Sequence, residues 1–436
     1  METKLNLIAE IAVKDGKCKF NNLIHLLNKD GLKECFYQLK KGRAAGVDDV
    51  TFEEYEQHLD ANLEDLVARM KRFSYRPQAV RRVYIPKANG KLRPLGIPAI
   101  EDKVVQMGIA RILTAIYEAD FLDFSYGFRP KRSCHDALDR LDKVIMKHPI
   151  NHVIDADIKG FFDNVNHDWL LRCLQERISD KKLLRYIVRF LKAGVMEEGK
   201  WQETDKGTPQ GGIISPILAN IYLHYVLDLW LERVVKSQSR GMVAMVRYAD
   251  DFVICVQYKD EAERILVELR KRLEKFGLEL AVDKTKIIGF GRFAVENASN
   301  KGQRAGVFNF LGFTHFCDKT RTGKFKVGRT TDRKRFRAKM KEMKIWLKSV
   351  RNTAPVKDWW SILCAKLRGH FQYYGVSGNF RGIKRFYYLT MRLVLKWLNR
   401  RSQKKSFNWE SYLSYLAKYP LPKPKVYHNL YTLYSY

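Results

Sequence analysis

Two adjacent carboxylates stand between two apolar runs in the second half of the chain. Residues 247–251 read RYADD, with an apolar run at 242–246 before them and another at 252–256 after them. Apolar runs of this length around a short polar break predict two buried strands joined by a tight turn. Asp is also a common turn residue, so a merely solvated turn is the alternative. Because neighbouring carboxylates repel unless a cation neutralises them, Asp250 and Asp251 are candidate ligands for a divalent metal ion.

A second acidic segment strengthens the metal interpretation. Asp155 and Asp157 lie two residues apart in an apolar stretch and would share one face of a strand. Two metal ions bridged by carboxylates from different strands can activate a primer hydroxyl and stabilise a leaving pyrophosphate. Asp163 is different, because it precedes Asn166 and a helical run from Trp169, which favours a loop or helix-capping role.

The charge of the chain predicts a polyanionic partner. Its 436 residues carry a formal net charge of +32. Residues 291–436 hold 32 Lys and Arg against 6 Asp and Glu, so most of the excess lies there. Many aromatic residues alternate with these cations. They can stack on nucleic-acid bases, and many of them also pack in the core between helices. The C-terminal part is therefore predicted to bind nucleic acid.

Other features argue against export, membrane insertion and structural zinc. The seven cysteines include no Cys-x-x-Cys pair, which argues against a structural zinc site. Scattered cysteines of this kind are typical of reduced thiols in a cytosol. The first residues lack the basic start and cleavage site of a secretory signal. The longest apolar stretch, 213–231, is interrupted by Pro216 and by polar residues, so no membrane span is expected. We expect a cytoplasmic protein of bacterial type that does not contact membranes.

The distribution of patterns predicts an α+β fold followed by a helical block. Residues 1–75 read as mostly helical, and residues 76–320 mix short strands with helices such as 101–117 and 261–276. Residues 294–306 are rich in Asn, Gly and Lys and are predicted to form a loop. Helical periodicity returns over residues 331–400.

Seven motifs in order carry a family resemblance. They are residues 85–98 (IPKANGKLRPLGIP), 125–130 (SYGFRP), 155–162 (DADIKGFF), 207–216 (GTPQGGIISP), 248–251 (YADD), 277–286 (GLELAVDKTK) and 308–313 (FNFLGF). This ordered set resembles the reverse transcriptases encoded by group II introns. A single motif would be weak, but the order of all seven makes the resemblance specific.

The resemblance implies a right-hand polymerase. Residues 1–75 would form an N-terminal extension and the start of the fingers, and residues 76–320 the fingers and palm. Residues 321–405 would form a helical thumb, or maturase X domain, whose signature position is occupied by residues 367–374 (LRGHFQYY). Residues 406–436 would be a basic, aromatic tail. The chain is similar to the short members that lack the endonuclease domain.

The resemblance also implies a catalytic metal site. Asp157, Asp250 and Asp251 match the catalytic carboxylates of the family. With the backbone carbonyl of Ile158 they are expected to hold two Mg²⁺ ions, which Mn²⁺ could replace. Asp251 either ligates a metal or supports its neighbour.

The substrate-binding positions follow from the same motifs. Lys87 and Arg93 match the fingers residues that grip the triphosphate. Phe162 stands where an aromatic ring closes off the sugar 2′ position, and Gln210 lies in the Gly-rich loop near the incoming nucleotide. Either Lys284 or Lys286 could protonate the leaving pyrophosphate.

The function implied is RNA-directed DNA synthesis of the group II intron type. The enzyme would add dNTPs to the 3′ end of a DNA or RNA primer on an RNA template. It would also bind structured RNA, its own intron RNA, to assist splicing and retrohoming. The alternatives are a non-catalytic RNA-binding splicing factor and a domesticated reverse transcriptase in defence or repair.

Overall fold

The computed structural model of the chain describes residues 1–86, 92–197, 200–203, 205–208, 211–300, 302–401 and 406–431. It contains two compact units. The first comprises Met1–Ala137, Ala156–Ile254 and Lys259–Lys286, and the second comprises Leu138–Asp155, Cys255–Tyr258 and Ile287–Tyr436.

The N-terminal segment is helical, as its periodicity predicts. Its helices are α1 (Glu2–Lys14), α2 (Lys29–Tyr37), α3 (Phe52–Gln57) and α4 (Leu59–Lys71), with a 3₁₀ turn at Ile24–Leu26. Helices α3 and α4 are separate because His58 leaves helical geometry, with φ −119° and ψ 28°. A reciprocal capping box between Thr51 and Glu54 fixes the start of α3.

The following region mixes strands and helices, which confirms the α+β prediction. Its elements are β1 (Val80–Pro86), β2 (Leu92–Ile97), α5 (Ile100–Tyr117), α6 (Cys134–Lys147), β3 (His152–Asp157), α7 (Phe161–Asn164), α8 (His167–Gln175), α9 (Lys181–Leu191), β4 (Val195–Glu197), β5 (Lys200–Gln202), α10 (Ser215–Leu223), α11 (Lys236–Gln238), β6 (Val243–Tyr248), β7 (Asp251–Val256), α12 (Lys259–Lys275) and β8 (Lys286–Gly289). Two π-helical segments, His224–Asp228 and Leu231–Val235, lie between α10 and α11.

Two four-stranded sheets organise these elements. One has the order β2-β1-β4-β5, and within it β1 and β2 are antiparallel with Ile85 opposite Arg93. The other has the order β6-β7-β3-β8. Helices α1 and α2 both pack against α5, whose inward side is lined by buried aliphatic residues.

The prediction for Asp163 is wrong. Asp163 lies inside the one-turn helix α7, and the cap of α8 is Asn166, whose side chain accepts a hydrogen bond from the Trp169 amide at 2.9 Å. Asn166 has the extended backbone that an N-cap requires, with φ −76° and ψ 125°.

The C-terminal part contains α13 (Ala294–Ser299), β9 (Val307–Phe310), β10 (Phe313–Lys319), β11 (Phe325–Thr331), α14 (Arg333–Val350), α15 (Val356–Tyr374), α16 (Phe380–Leu398) and α17 (Trp409–Lys418). The strands form a sheet of order β11-β10-β9. The helical periodicity predicted over 331–400 is confirmed.

One expectation for this part differs from the structure. The predicted loop at 294–306 is wrong over its first half, where α13 forms because Ala and Glu tolerate a helix despite the flanking Asn.

Among the described residues, no helix is both long and apolar enough to cross a bilayer.

Candidate active site

The two adjacent carboxylates lie at the turn that the sequence predicts. Strand β6 ends at Tyr248 and strand β7 begins at Asp251, which leaves Ala249 and Asp250 to make the turn. Ala249 adopts a left-handed conformation with φ 58°, a position that is uncommon for a residue with a Cβ. Backbone of this kind persists where the surroundings hold it in place.

A buried arginine holds the turn. The Arg247 guanidinium donates to the Ala249 carbonyl at 3.0 Å and to the Asn220 Oδ1 atom at 3.1 Å. Its Nε atom donates to Asp228 at 2.7 Å, and the two charged side chains have no exposed surface. Burial raises the pKa of the Asp228 carboxyl, against the lowering effect of the Arg247 charge. The pair is therefore a desolvated salt bridge, and the Arg247 NH group that does not contact Asp228 holds the turn through the Ala249 carbonyl.

The π-helical segment explains how one arginine reaches both partners. Asn220 and Asp228 are eight residues apart, so a regular α-helix of 3.6 residues per turn would place them about 80° apart. A π turn holds one more residue than an α turn, and the segment His224–Asp228 lies between them. Both side chains consequently face Arg247.

The motif at 125–130 braces the same hairpin. The Tyr126 amide donates to the Arg247 carbonyl at 2.9 Å, and the Arg247 amide donates to the Phe124 carbonyl at 2.8 Å. A Cβ on Gly127 would stand 2.3 Å from the Ala249 nitrogen, so only glycine fits there. Asn220 also donates to the Gly127 carbonyl at 2.7 Å. The sequence patterns do not predict that Arg247 and its partners hold the hairpin. The signal that could have indicated it is a charged residue inside an apolar run, which applies to both Arg247 and Asp228.

Asp157 stands at the end of β3 and is held by the segment 279–281. The Ala281 amide donates to the Asp157 carbonyl, and the Lys159 amide donates to the Glu279 carbonyl, both at 2.8 Å. These bonds make Ile158 and Leu280 a non-hydrogen-bonded antiparallel pair. Since successive backbone groups of a strand point to opposite edges, the Ile158 carbonyl points away from Leu280.

Lys284 distinguishes itself from Lys286 by its contact. Its ammonium donates a hydrogen bond to Asp157 Oδ2, and this bond raises the pKa of Lys284. Lys286 is the first residue of β8. The structure therefore brings Lys284 to a carboxylate that the sequence predicts to be catalytic.

The charges of the candidate carboxylates interact. Burial raises the pKa of Asp250, and the negative charge of Asp157 raises it further, whereas the charges of Arg93 and Arg247 lower it. Arg93 is exposed on β2 and so can turn toward a ligand. Asp251 is half-buried at the first position of β7. The charge of Asp157 therefore disfavours the ionised form of Asp250, an effect that a bound cation would relieve.

A divalent metal ion at this site would take only part of its ligands from side chains. In the part of the chain that the structure describes, no group of three or more His, Cys, Asp and Glu residues could hold a metal ion by itself. Mg²⁺ usually binds one or two carboxylates and completes its shell with water and substrate phosphates. Asp157, Asp250 and the Ile158 carbonyl are the candidate ligands for a shell of this kind.

Phe162 and the loop at residues 207–208 form one wall of a cavity. The Thr208 amide donates to the Phe162 carbonyl, and the Gly207 amide donates to the Val165 carbonyl, both at 2.7 Å. A Cβ on Gly207 would lie 2.9 Å from the Phe162 carbonyl oxygen, so the loop approaches as only glycine allows. The Phe162 ring is half-buried, lies 5.3 Å from the Phe161 ring, and lines a cavity of 510 Å³ with residues of β1 and β2.

Two predicted substrate residues, Lys87 and Gln210, lie outside the described residues. The neighbouring backbone is described. The Ile213 amide donates to the buried Gln106 side chain at 2.8 Å, and a Cβ on Gly211 would stand 2.5 Å from the Gly96 carbonyl. Gln106 of α5 therefore anchors the Gly-rich loop, a role that its place in an apolar helix did not reveal.

Comparison with known proteins agrees with this geometry. Residues 85–315 match the family described as "Reverse transcriptase (RNA-dependent DNA polymerase)". The chain is 35% identical to protein YkfC of Escherichia coli over 314 residues, which cover 64% of the chain and 82% of YkfC. It is 33% identical to the group II intron-encoded protein LtrA of Lactococcus lactis over 321 residues, or 60% of the chain and 53% of LtrA.

A third relative is the 91 kDa protein in the cob intron of Schizosaccharomyces pombe, 40% identical over 184 residues, which cover 42% of the chain and 22% of that protein. The chain therefore spans most of YkfC but about half or less of the two intron proteins. It belongs to the reverse transcriptase family, of the type that group II introns encode. The class is RNA-directed DNA polymerase, which requires an RNA template and a nucleic-acid primer.

Proposed function

We propose that this protein copies RNA into DNA by adding dNTPs to a primer 3′ end at the site around Asp157 and Asp250. The observation that carries the proposal is that β3, which ends at Asp157, and β7, which begins next to Asp250, are neighbours in one sheet, with the Lys284 ammonium hydrogen-bonded to Asp157. Bound Mg²⁺ ions would supply activation of the primer hydroxyl and stabilisation of the pyrophosphate.

The protein's own residues divide the remaining work. Asp157, Asp250 and Asp251, with the Ile158 carbonyl, hold the metal ions. Arg93, whose charge already acts on Asp250, binds the triphosphate together with Lys87. Lys284, which hydrogen-bonds to Asp157, would give a proton to the departing pyrophosphate.

Selection of the nucleotide rests on Phe162 and Gln210. The Phe162 ring stands beside Gly207 and Thr208, at the start of the loop that contains Gln210. A ring at the sugar 2′ position would exclude ribonucleotides by steric overlap, and Gln210 would contact the incoming nucleotide.

The C-terminal helices are proposed to act as the thumb, or maturase X domain, and to bind structured intron RNA. The first turn of α14 supports this. It carries Arg333, Lys334 and Arg335 and no acid, although cations near a helix N-terminus oppose the helix dipole. Asp332 caps the helix by accepting from the Arg335 amide at 2.8 Å, which offsets part of that cost. A bound RNA phosphate would neutralise these cations and remove their unfavourable interaction with the helix dipole.

The test is primer extension on an RNA template with Asp157→Asn and Asp250→Asn. Each substitution removes a metal-binding charge with little change in shape, so the rate should fall about a hundredfold or more while RNA affinity stays near that of the parent. Asp168→Asn, an exposed position on α8, is the matched control. Normal extension by either active-site variant would refute the assignment. The same variants separate a polymerase from a purely RNA-binding splicing factor.

A further inference from the structure

The C-terminal helices enclose a groove that contains none of the candidate active-site residues. It lies between α14 and α15, with one residue from α16, and has a volume of 560 Å³. This is within the range of small-ligand sites, roughly 300–1,000 Å³. Its walls combine aromatic rings with cations: Trp346, His370, Tyr373, Tyr374 and Phe386, and Arg335, Lys339 and Lys366. We call it the helix groove.

Gly369 opens the floor of the helix groove. It lies inside α15, where glycine destabilises a helix relative to alanine. Its backbone does not need glycine, because its φ is not in the left-handed region. A Cβ at this position would meet no atom within 4 Å. The surrounding protein therefore gives no steric reason for glycine, whereas a ligand that approaches α15 closely would.

His370 contributes a neutral aromatic ring to the same wall of the helix groove. Its side chain is buried, and its ring stacks on Phe386 with centroids 3.6 Å apart and planes 14° apart. Burial lowers the pKa of His370 to about 4, so the ring is neutral at physiological pH. The stacked pair therefore extends the aromatic surface on which a base could lie.

The cations at the rim define the chemistry of the occupant. Arg335, Lys339 and Lys366 are exposed, and the Lys366 ammonium lies 5.0 Å from the centre of the Trp346 ring. Glu342 pairs with Lys339 at 2.7 Å, which leaves positive charge in excess. A purely apolar ligand would not need these cations, and a phosphate alone would not need the rings. A nucleotide uses both.

We propose that the helix groove binds one unpaired nucleotide of a nucleic-acid strand. Its base lies on α15 over Gly369 and against the aromatic wall, and its phosphate pairs with Lys366 and Arg335. This rests on the proposed function only in that the chain binds nucleic acid. Such a subsite selects strands with unstacked bases over continuous duplex.

The test compares Gly369→Ala with the parent in equilibrium binding to a short single-stranded RNA and to a blunt RNA duplex of equal length. The added methyl fills the space where the base lies, so affinity for the single strand should fall about fivefold to a hundredfold, with the duplex unaffected. The melting temperature should not fall, because alanine favours the helix. Gly289→Ala is the matched control, since a Cβ there also meets no atom within 4 Å.

The outcomes separate the explanations. Equal affinity of variant and parent for the single strand would overturn the proposal, as would an equal loss for single strand and duplex. Single-stranded DNA of the same sequence forms a second arm, and the strand with the larger loss identifies the source of the nucleotide. Binding needs no polymerisation, so a parent protein unable to extend primers would refute the proposed function and leave this result standing.

Discussion

Lys284 donates a hydrogen bond to Oδ2 of Asp157, which joins the 277–286 motif to the acidic strand 127 residues before it. An ammonium beside a carboxylate that is proposed to bind metal would lie near the path of any phosphate bound there. The hydrogen bond also separates Lys284 from Lys286, which are equal candidates for the proton donor in the sequence.

We expect Lys284→Gln to slow nucleotide addition about a hundredfold, because a positioned general acid contributes about that much. Lys286→Gln, the matched control, should remain near the parent rate. Single-turnover kinetics at saturating dNTP measure both. An equal loss in the two variants would mean that positive charge in this segment matters, and not proton donation.

The pH dependence of Lys284→His gives an independent check. A proton donor works only while protonated, and the hydrogen bond to Asp157 raises the pKa of Lys284, so the parent rate should not decline at neutral or mildly alkaline pH. A histidine donor loses its proton near pH ~6.5, so the variant should slow as pH rises through that value. A parallel pH profile for parent and variant would contradict donation by residue 284.

Phe162→Val is expected to admit ribonucleotides. The smaller side chain leaves space in the cavity between Phe162 and the 207–208 loop, where a 2′-hydroxyl could fit. The ratio of kcat/KM for dNTP to that for rNTP should fall, mainly through faster rNTP addition. Phe161→Val is a poor control, because Phe161 is buried core, so Phe293→Val, at an exposed ring, serves instead. Undiminished exclusion of rNTPs would make Phe162 a packing residue.

The buried pair Arg247–Asp228 is expected to separate stability from catalysis. Arg247→Ala leaves an uncompensated buried carboxylate and should cost about 3–5 kcal/mol of the free energy of unfolding. Replacing both residues by apolar ones, Arg247→Met with Asp228→Leu, should restore most of that stability, measured by urea unfolding. The double variant still lacks the donor to the Ala249 carbonyl, so kcat should stay low with a smaller change in KM. Recovery of kcat together with stability would show that the pair is only structural.

The first turn of α14 should contribute to RNA affinity through phosphates. Neutralising Arg333, Lys334, Arg335 and Arg337 to Gln should weaken binding to a long folded RNA and reduce the salt dependence of its affinity. The log-log slope should drop by about 0.7–0.9 for each phosphate that the variant no longer neutralises. Filter binding at several salt concentrations measures it.

The matched control for this cluster neutralises four exposed cations of α12: Lys259, Arg270, Lys271 and Lys275. This variant should keep the parent slope if charge on α14 acts by direct phosphate binding. Extension of a short, saturating primer-template should suffer less than RNA binding in the α14 variant. An unchanged slope there would mean that the cluster is a solvated helix face.

Local patterns were sufficient to predict much of this protein. The apolar runs around 247–251 predict the β6–β7 hairpin, and helical spacing predicts α5, α12 and the three long helices α14, α15 and α16, because a period of two or 3.6 residues is a property of neighbours in the chain. The ordered motifs also predict the family, which the match over 85–315 confirms. The sequence patterns did not predict the break between α3 and α4 at His58 or the short helix α13, because single residues decide where such short elements begin and end.

The contacts that position the site depend on tertiary structure. Arg247 meets Asp228 and Asn220 only because a π turn shifts the phase of the helix, and a hydrophobic pattern does not encode that shift. Lys284 and Asp157 are far apart in sequence, so their hydrogen bond follows from the pairing of residues 279–281 with 157–159. The helix groove likewise needs three helices to close around Gly369, and the open space beside that glycine is invisible in the sequence. Sequence thus determined which residues could do chemistry, and the packing of distant segments decided which of them meet.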